Sequence, residues 1–133
     1  MYLQTLTEFE MTQQENPPVI VGISGATGII YGIETLRALK TLGVQSHLII
    51  SEAGVRTLDY ETDLNLDDLR ALADKVHSVK DIGASIASGS YRTQGMIVAP
   101  CSIKTLSAIA NSFDTNLLIR TADVTLKERR PLV

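Results

Sequence analysis

A chain of 133 residues is the size of one domain, because independently folding units cluster near ~100 to 150 residues; a two-domain enzyme is excluded. Hydrophobic residues make up 44% and charged residues 20%, enough apolar material for a sizeable core, so disorder is excluded for most of the chain. Lys plus Arg number 12 against 15 Asp plus Glu, a net charge of −3, which leaves no broad basic surface to attract nucleic acid.

The single cysteine, Cys101, can form neither an internal disulfide nor a Cys-rich metal site, and a lone thiol fits a reducing compartment, with the cytoplasm as the expectation. No apolar run reaches the ~18 residues of a membrane span, and Met1 to Asn16 lacks the basic and apolar regions of a signal peptide. Aromatic residues are 5% and Trp is absent, so a ring-shaped ligand must be held mostly by backbone and aliphatic contacts.

Residues 1–18 read as a disordered polar tail ending in Asn16-Pro17-Pro18, with Met11 an alternative start. Val19-Ile20-Val21-Gly22-Ile23 is a short apolar run of the kind that becomes a strand buried on both faces. The turn Ser24 to Gly28 follows, then a helix with Ile29, Ile33, Leu36 and Leu39 recurring on one side until Gly43 stops it. His47 to Ile50 is a second strand, and Ala53 to Asp59 a second helix. Two strands joined by a helix pair in parallel through a right-handed crossover.

Asn65 with Asp68 marks a helix start whose buried face, Leu66, Leu69 and Ala73, runs to Val76. A short helix is expected over Asp81 to Ala87, and Ser88 to Gly95 is a flexible stretch. Met96 to Ala99 is the third predicted strand. Ser102 opens a helix with Ile103, Leu106, Ile109 and Ala110 buried, and a last helix covers Asn116 to Arg129. Pro131-Leu132-Val133 has the look of a strand beginning, so the pattern leads us to expect a chain cut short inside its domain. The expected fold is a three-layer α/β domain over residues 19–133, with a parallel, flavodoxin-like (Rossmann-like) sheet and helices on both faces.

Ligands of open parallel sheets bind beyond the carboxyl ends of the strands, where strand order reverses. That rule selects Ser24 to Gly28, Ser51 to Gly54 and Pro100 to Thr105. Glycines 22, 25 and 28 depart from the G-x-G-x-x-G dinucleotide spacing, which disfavours a standard NAD site. Glycine still allows close approach of backbone N–H groups, and the following helix N-terminus favours anions. Taken alone, the glycine turn is equally well a tight turn with no ligand. Pro100 to Thr105 brings hydroxyls, amides and Lys104 to the same edge, suited to a phosphate or a polar heterocycle, although Ser102 could be only an N-cap and Cys101 a small buried hydrophobe. His47 and His77 have no evident reason to lie beside Cys101, so a Cys–His nucleophile is disfavoured and both histidines read as structural. Arg120, Asp123 and Lys127 share one face of the last helix, either a solvated stripe or the wall of an anion site. Ser88-Gly89-Ser90-Tyr91 and Glu61-Thr62-Asp63 read as loops unless they face a ligand.

These segments together resemble the UbiX-type flavin prenyltransferases, formerly called aromatic acid decarboxylases. The resemblance runs from Val19 to Val133 through Val21 to Gly28, Glu61 to Asp63, Ser88 to Thr93, Ala99 to Leu106 and Leu117 to Arg130. It implies an enzyme that binds reduced FMN and alkylates it with dimethylallyl phosphate, the prenyl carbon being captured at flavin N5 with ring closure at C6. The prenylated flavin would serve a partner decarboxylase in ubiquinone biosynthesis or aromatic acid decarboxylation. It implies a homo-oligomer with flavin sites at subunit contacts, and no metal. By motif match, Gly25, Ala26, Thr27, Ser51, Ser102, Ile103, Lys104 and Thr105 would contact FMN. Thr27 stands where many members have serine and keeps the hydroxyl. Glu61 would manage protons, while Lys127, with Arg120, would hold the prenyl phosphate. Family members continue beyond the position of Val133 with further phosphate-pocket residues, so little turnover is expected of these 133 residues alone. The related FMN-dependent cysteine decarboxylases, and a non-catalytic flavin-binding module, are the alternatives.

Overall fold

Four short apolar runs build the sheet: β1 (Val19–Ile23), β2 (Ser46–Ile50), β3 (Lys75–His77) and β4 (Gly95–Val98), all parallel in the order β3-β2-β1-β4. The computed structural model describes residues 16–133, so Met11 and most of the expected tail lie outside the described residues. Of that tail, Pro17 and Pro18 run beside the sheet, where Gln94 donates its side-chain amide to Pro17 O at 2.8 Å and its backbone N–H to Pro18 O at 2.9 Å.

An all-parallel sheet must be covered on both faces, and the alternation within each strand shows how. Ile20, Ile49 and Met96 enter one core with Ile109, Leu117, Leu118 and Ala122; Val21, Ile23, Leu48 and Ile50 enter the other with Ile29, Ile33, Leu36, Leu58 and Leu69. The first core is closed by α4 (Ile103–Ala110) and α5 (Leu117–Lys127), the second by α1 (Ile29–Thr41), α2 (Glu52–Glu61) and α3 (Leu66–Arg70). This is the expected three-layer arrangement. Each fully buried Ile or Leu contributes roughly 1.5–3 kcal/mol relative to leaving it exposed.

The helix starts follow from the capping residues. Ser51, Asn65, Ser102 and Asn116 accept from the backbone N–H of Gly54, Asp68, Thr105 and Ile119, and Asn65 with Asp68 completes a capping box. The end of α5 is a Schellman motif: Arg129 N–H donates to Leu126 O, Arg130 N–H donates to Thr125 O, and Arg129 takes φ 56°.

Several sequence expectations are corrected. The helix read to Val76 stops at Arg70, and Lys75–His77 is an edge strand. Lys75 and Val76 are both exposed, so it lacks the apolar run of a central strand. The helix expected over Asp81 to Ala87 is only a 3₁₀ turn, Ser85–Ala87, and the strand read as third is therefore the fourth. On α4 the buried pair is Thr105 and Ile109, whereas Ile103 is 80% and Leu106 55% exposed. Anchoring of Ser102 to the β1 loop turns the helix that way. Leu126 of α5 is half exposed, although it is spaced to follow the buried Leu118 and Ala122. Pro131–Val133 does lie parallel to β4, with Leu132 opposite Met96 and Met96 N–H donating to Pro131 O at 2.9 Å.

Candidate functional site

From β1 the chain builds outward in one direction through β2 to β3, then returns to lay β4 on the other side of β1. The switch in strand order therefore falls between the carboxyl ends of β1 and β4, where parallel sheets bind ligands. The loops leaving those strands are stitched together. Ser24 N–H and Ser24 Oγ donate to Pro100 O at 3.1 and 3.0 Å, and Ser102 N–H donates to Ser24 Oγ at 2.7 Å.

Beyond this stitch opens a cleft of about 1150 Å³, lined by Gly25, Ser51, Ala53, Ser102, Lys104 and Thr105 from the three loops the strand-end rule selects. The opposite wall comes from Val79, Lys80 and Ile82 after β3 and from Phe113, Asn116 and Ile119 around the start of α5. The N-termini of α2 and α4 both end at this cleft, so their free amides and positive dipole ends favour an anion. Lys80 pairs with Glu52 at 3.1 Å, while Arg56 and Lys104, also in the lining, have no ion-pair partner among the described residues.

Gly25 is required by proximity: a Cβ there would run into Ala53 Cβ, so only glycine lets the β1 loop lie against the first turn of α2. Gly28, at φ 101°, opens α1 from the left-handed region. Its N–H and that of Ile29 both donate to Glu61 Oε2 at 3.0 Å. Glu61, at the end of α2, thus caps α1 with a full negative charge on its dipole.

The expected site residues fall into two groups. Gly25, Ser51, Ser102, Lys104 and Thr105 converge on the cleft; Ala26, Thr27 and Ile103 belong to the same loops but not to its lining. Glu61 stands at the outer end of the glycine loop. Arg120 is turned to Asp114 at 3.4 Å, and Lys127 lies beside Glu128 at 3.7 Å at the far end of α5, so neither lines this cleft. Val79, Lys80 and Ile82 were not anticipated, because the strand that delivers them was read as the end of a helix.

The cysteine and histidines are placed as structural groups. Burial pushes the Cys101 thiol up from its ordinary value, away from the thiolate a nucleophile needs. His47 and His77 lie side by side in β2 and β3, Nδ1 to Nε2 at 3.1 Å, both buried. Among the described residues no group of three His, Cys, Asp or Glu side chains is placed to hold a metal, and no helix is long and apolar enough to cross a membrane.

Comparison with known proteins identifies the fold and the family. A family model described as Flavoprotein matches residues 8–133. The flavin prenyltransferase UbiX of Thauera aromatica is 63% identical over 115 residues, covering 86% of this chain and 59% of that protein. The crystal structure of AnUbiX in complex with FMN and dimethylallyl pyrophosphate superposes with a TM-score of 0.87 at 50% identity, covering 88% of this chain and 62% of that one. A dodecameric FMN-dependent UbiX-like decarboxylase from Escherichia coli O157:H7 gives 0.85 at 46% identity, over 86% of this chain and 63% of that one. The chain thus spans about three-fifths of the length of these proteins. Its matched residues include every loop that closes the cleft, and it belongs to the Flavoprotein family.

Proposed function

We propose that residues 19–133 form the flavin-binding domain of a flavin prenyltransferase, which moves a dimethylallyl group from dimethylallyl phosphate to reduced FMN. The observation that carries this reading is the convergence of Gly25, Ser51 and Ser102 to Thr105 on one cleft at the strand-order switch. The fit is physical. The cleft, about 1150 Å³, is somewhat larger than the ~300–1,000 Å³ of ligand pockets, and it offers a phosphate two helix N-termini and two cations, Arg56 and Lys104, that have no ion-pair partner among the described residues. FMN and dimethylallyl pyrophosphate, the ligands named for AnUbiX, support a flavin together with a phosphate ester of the dimethylallyl group.

Reduced FMN, when bound, supplies the electron-rich ring that accepts the prenyl carbon. The chain's own contributions are positioning and electrostatics. Gly25, Ala26, Thr27, Ser51 and the stretch Ser102 to Thr105 hold the flavin. Lys127, helped by Arg120, takes the charge of the departing phosphate; neither lines the chain's own cleft, so this role requires a flavin site at a subunit contact, and Glu61 manages protons beside the glycine loop. The protein works as a cytoplasmic homo-oligomer, a reading supported by the dodecameric relative and by the exposed Ile103, Leu106 and Phe113 on and beside α4. Its product would pass to a decarboxylase of ubiquinone biosynthesis or aromatic acid metabolism.

The test is anaerobic incubation of the purified chain with reduced FMN and dimethylallyl phosphate, followed by mass spectrometry of the flavin. Retained FMN, with any new flavin product carrying the prenyl mass, is expected. A clear rate from the 133 residues alone would overturn the expectation of low turnover and leave the assignment standing. Loss of carbon dioxide from a cysteine-terminated peptide would replace the assignment with a cysteine decarboxylase, and retained FMN with no product, even after fusion to the C-terminal part of a full-length relative, would reduce it to a binding module.

A further inference from the structure

A run of cations after a helix is ordinarily read as a favourable complement to the helix dipole, solvated and interchangeable. Arg130 is different. Arg129 in the left-handed conformation reverses the chain at the end of α5, and the Arg130 guanidinium, half-buried, then reaches the loop before β4. Its Nη1 donates to Tyr91 O at 3.0 Å and its Nη2 to Gly89 O at 2.8 Å. One planar fork thus grips two carbonyls of Ser88-Gly89-Ser90-Tyr91, a geometry that a lysine ammonium does not reproduce.

The same loop is gripped a second time. Glu128 lies so close over Gly89 that a Cβ at that position would collide with its carboxylate. Lys127 stands one residue before Glu128, 3.7 Å from its Oε1, and the hydroxyls of Ser88 and Ser90 are 2.9 Å apart within the loop. The last turn of α5 and the Ser88–Tyr91 loop are therefore one assembly, with Arg130 as the tie between them. A left-handed non-glycine residue at the turn is a cost that the chain tolerates.

We infer that Arg130 is a positioning residue: its fork holds Ser88–Tyr91 against the turn bearing Lys127, so that Lys127 and the loop meet the phosphate of an allylic monophosphate as one preformed surface. This rests on the reading of Lys127 as the phosphate cation. Arg130 itself does not touch the ligand.

The test measures equilibrium binding of dimethylallyl phosphate and of FMN separately, by calorimetry on the FMN-loaded and FMN-free chain, for wild type, Arg130→Lys, Arg130→Gln and Lys127→Met. The inference expects both Arg130 variants to weaken dimethylallyl phosphate binding roughly tenfold or more, with FMN affinity unchanged; a general loss of packing would lower both. Wild-type phosphate affinity in Arg130→Lys would show that charge suffices and overturn the positioning role, as would a parallel fall in FMN affinity. If wild type and Lys127→Met are alike in binding no dimethylallyl phosphate while FMN still binds, the Lys127 reading fails and this inference falls with it.

Discussion

Ser24 and Ser102 are 78 positions apart in sequence, yet Ser102 N–H donates to Ser24 Oγ at 2.7 Å. That bond, with Ser24 Oγ donating to Pro100 O, ties the end of β1 to the start of α4, whose first turn lines the cleft. Ser24 is buried, so no water replaces it readily. Ser24→Ala is expected to cost about 1 kcal/mol, because the Ser102 N–H loses its acceptor while Pro100 O keeps the Ser24 N–H, and to weaken FMN binding. Urea denaturation and flavin titration measure the two effects; an unchanged midpoint and affinity would mean that the stitch is incidental.

Glu61 caps two amides of α1 from the end of α2. Glu61→Gln keeps the shape and an acceptor oxygen but removes the charge, and is expected to cost about 0.5–1 kcal/mol through the lost interaction with the helix dipole. The loss should shrink at high salt, because Glu61 is exposed. A midpoint shift independent of salt would point to packing instead.

Stability should depend on pH through the histidine pair. Burial, then the neighbouring His77 and Lys75, push His47 down from 6.5 to about 4 against the opposing pull of Asp74. His77 is lowered by burial and Lys75, with Asp81 opposing. In the unfolded chain both titrate near the ordinary value, so below that point the unfolded state binds protons that the folded state refuses. Stability is therefore full above about pH 6.5 and falls as pH drops towards 4, by about 3 kcal/mol from His47 alone. Urea midpoints from pH 7.5 to 4.5 should show this slope, and His47→Gln should flatten it. An equal slope in the variant would assign the acid sensitivity to other groups.

Arg129 occupies a backbone position that favours glycine, φ 56° at the end of α5. Arg129→Gly is expected to raise stability by about 1 kcal/mol, whereas Arg129→Ala should change it little, since alanine suffers the same left-handed cost. Thermal denaturation decides; equal gains in both variants would show that charge relief, not backbone strain, is responsible.

The parts of the fold that depend on local chemistry were legible. The buried runs 19–23, 47–50 and 96–98, the helix starts at Asn65 and Ser102, and the strand-end rule together located three of the loops that line the cleft. What escaped depends on partners distant in sequence. Lys75–His77 is too short and too polar to declare itself; only pairing with β2 makes it a strand, and with it went Val79, Lys80 and Ile82. On α4, the stripe Ile103, Leu106 and Ala110 and the pair Thr105 and Ile109 compete for the interior, and periodicity cannot say which wins. The Ser24 to Ser102 bond decides it. The Arg130 fork was hidden for the same reason, because a cation near a helix end gives no hint of the carbonyls it will find 39 and 41 positions earlier.

The central claim is that the bends leaving β1, β2 and β4 seat one flavin. Amide NMR of the labelled chain titrated with FMN tests it most directly: the largest shifts should fall together on Gly25, Ser51 and Ser102 to Thr105, with little change along the outer face of α1. Saturable binding with shifts confined elsewhere, or no shift at all at FMN concentrations that saturate full-length relatives, would contradict the account.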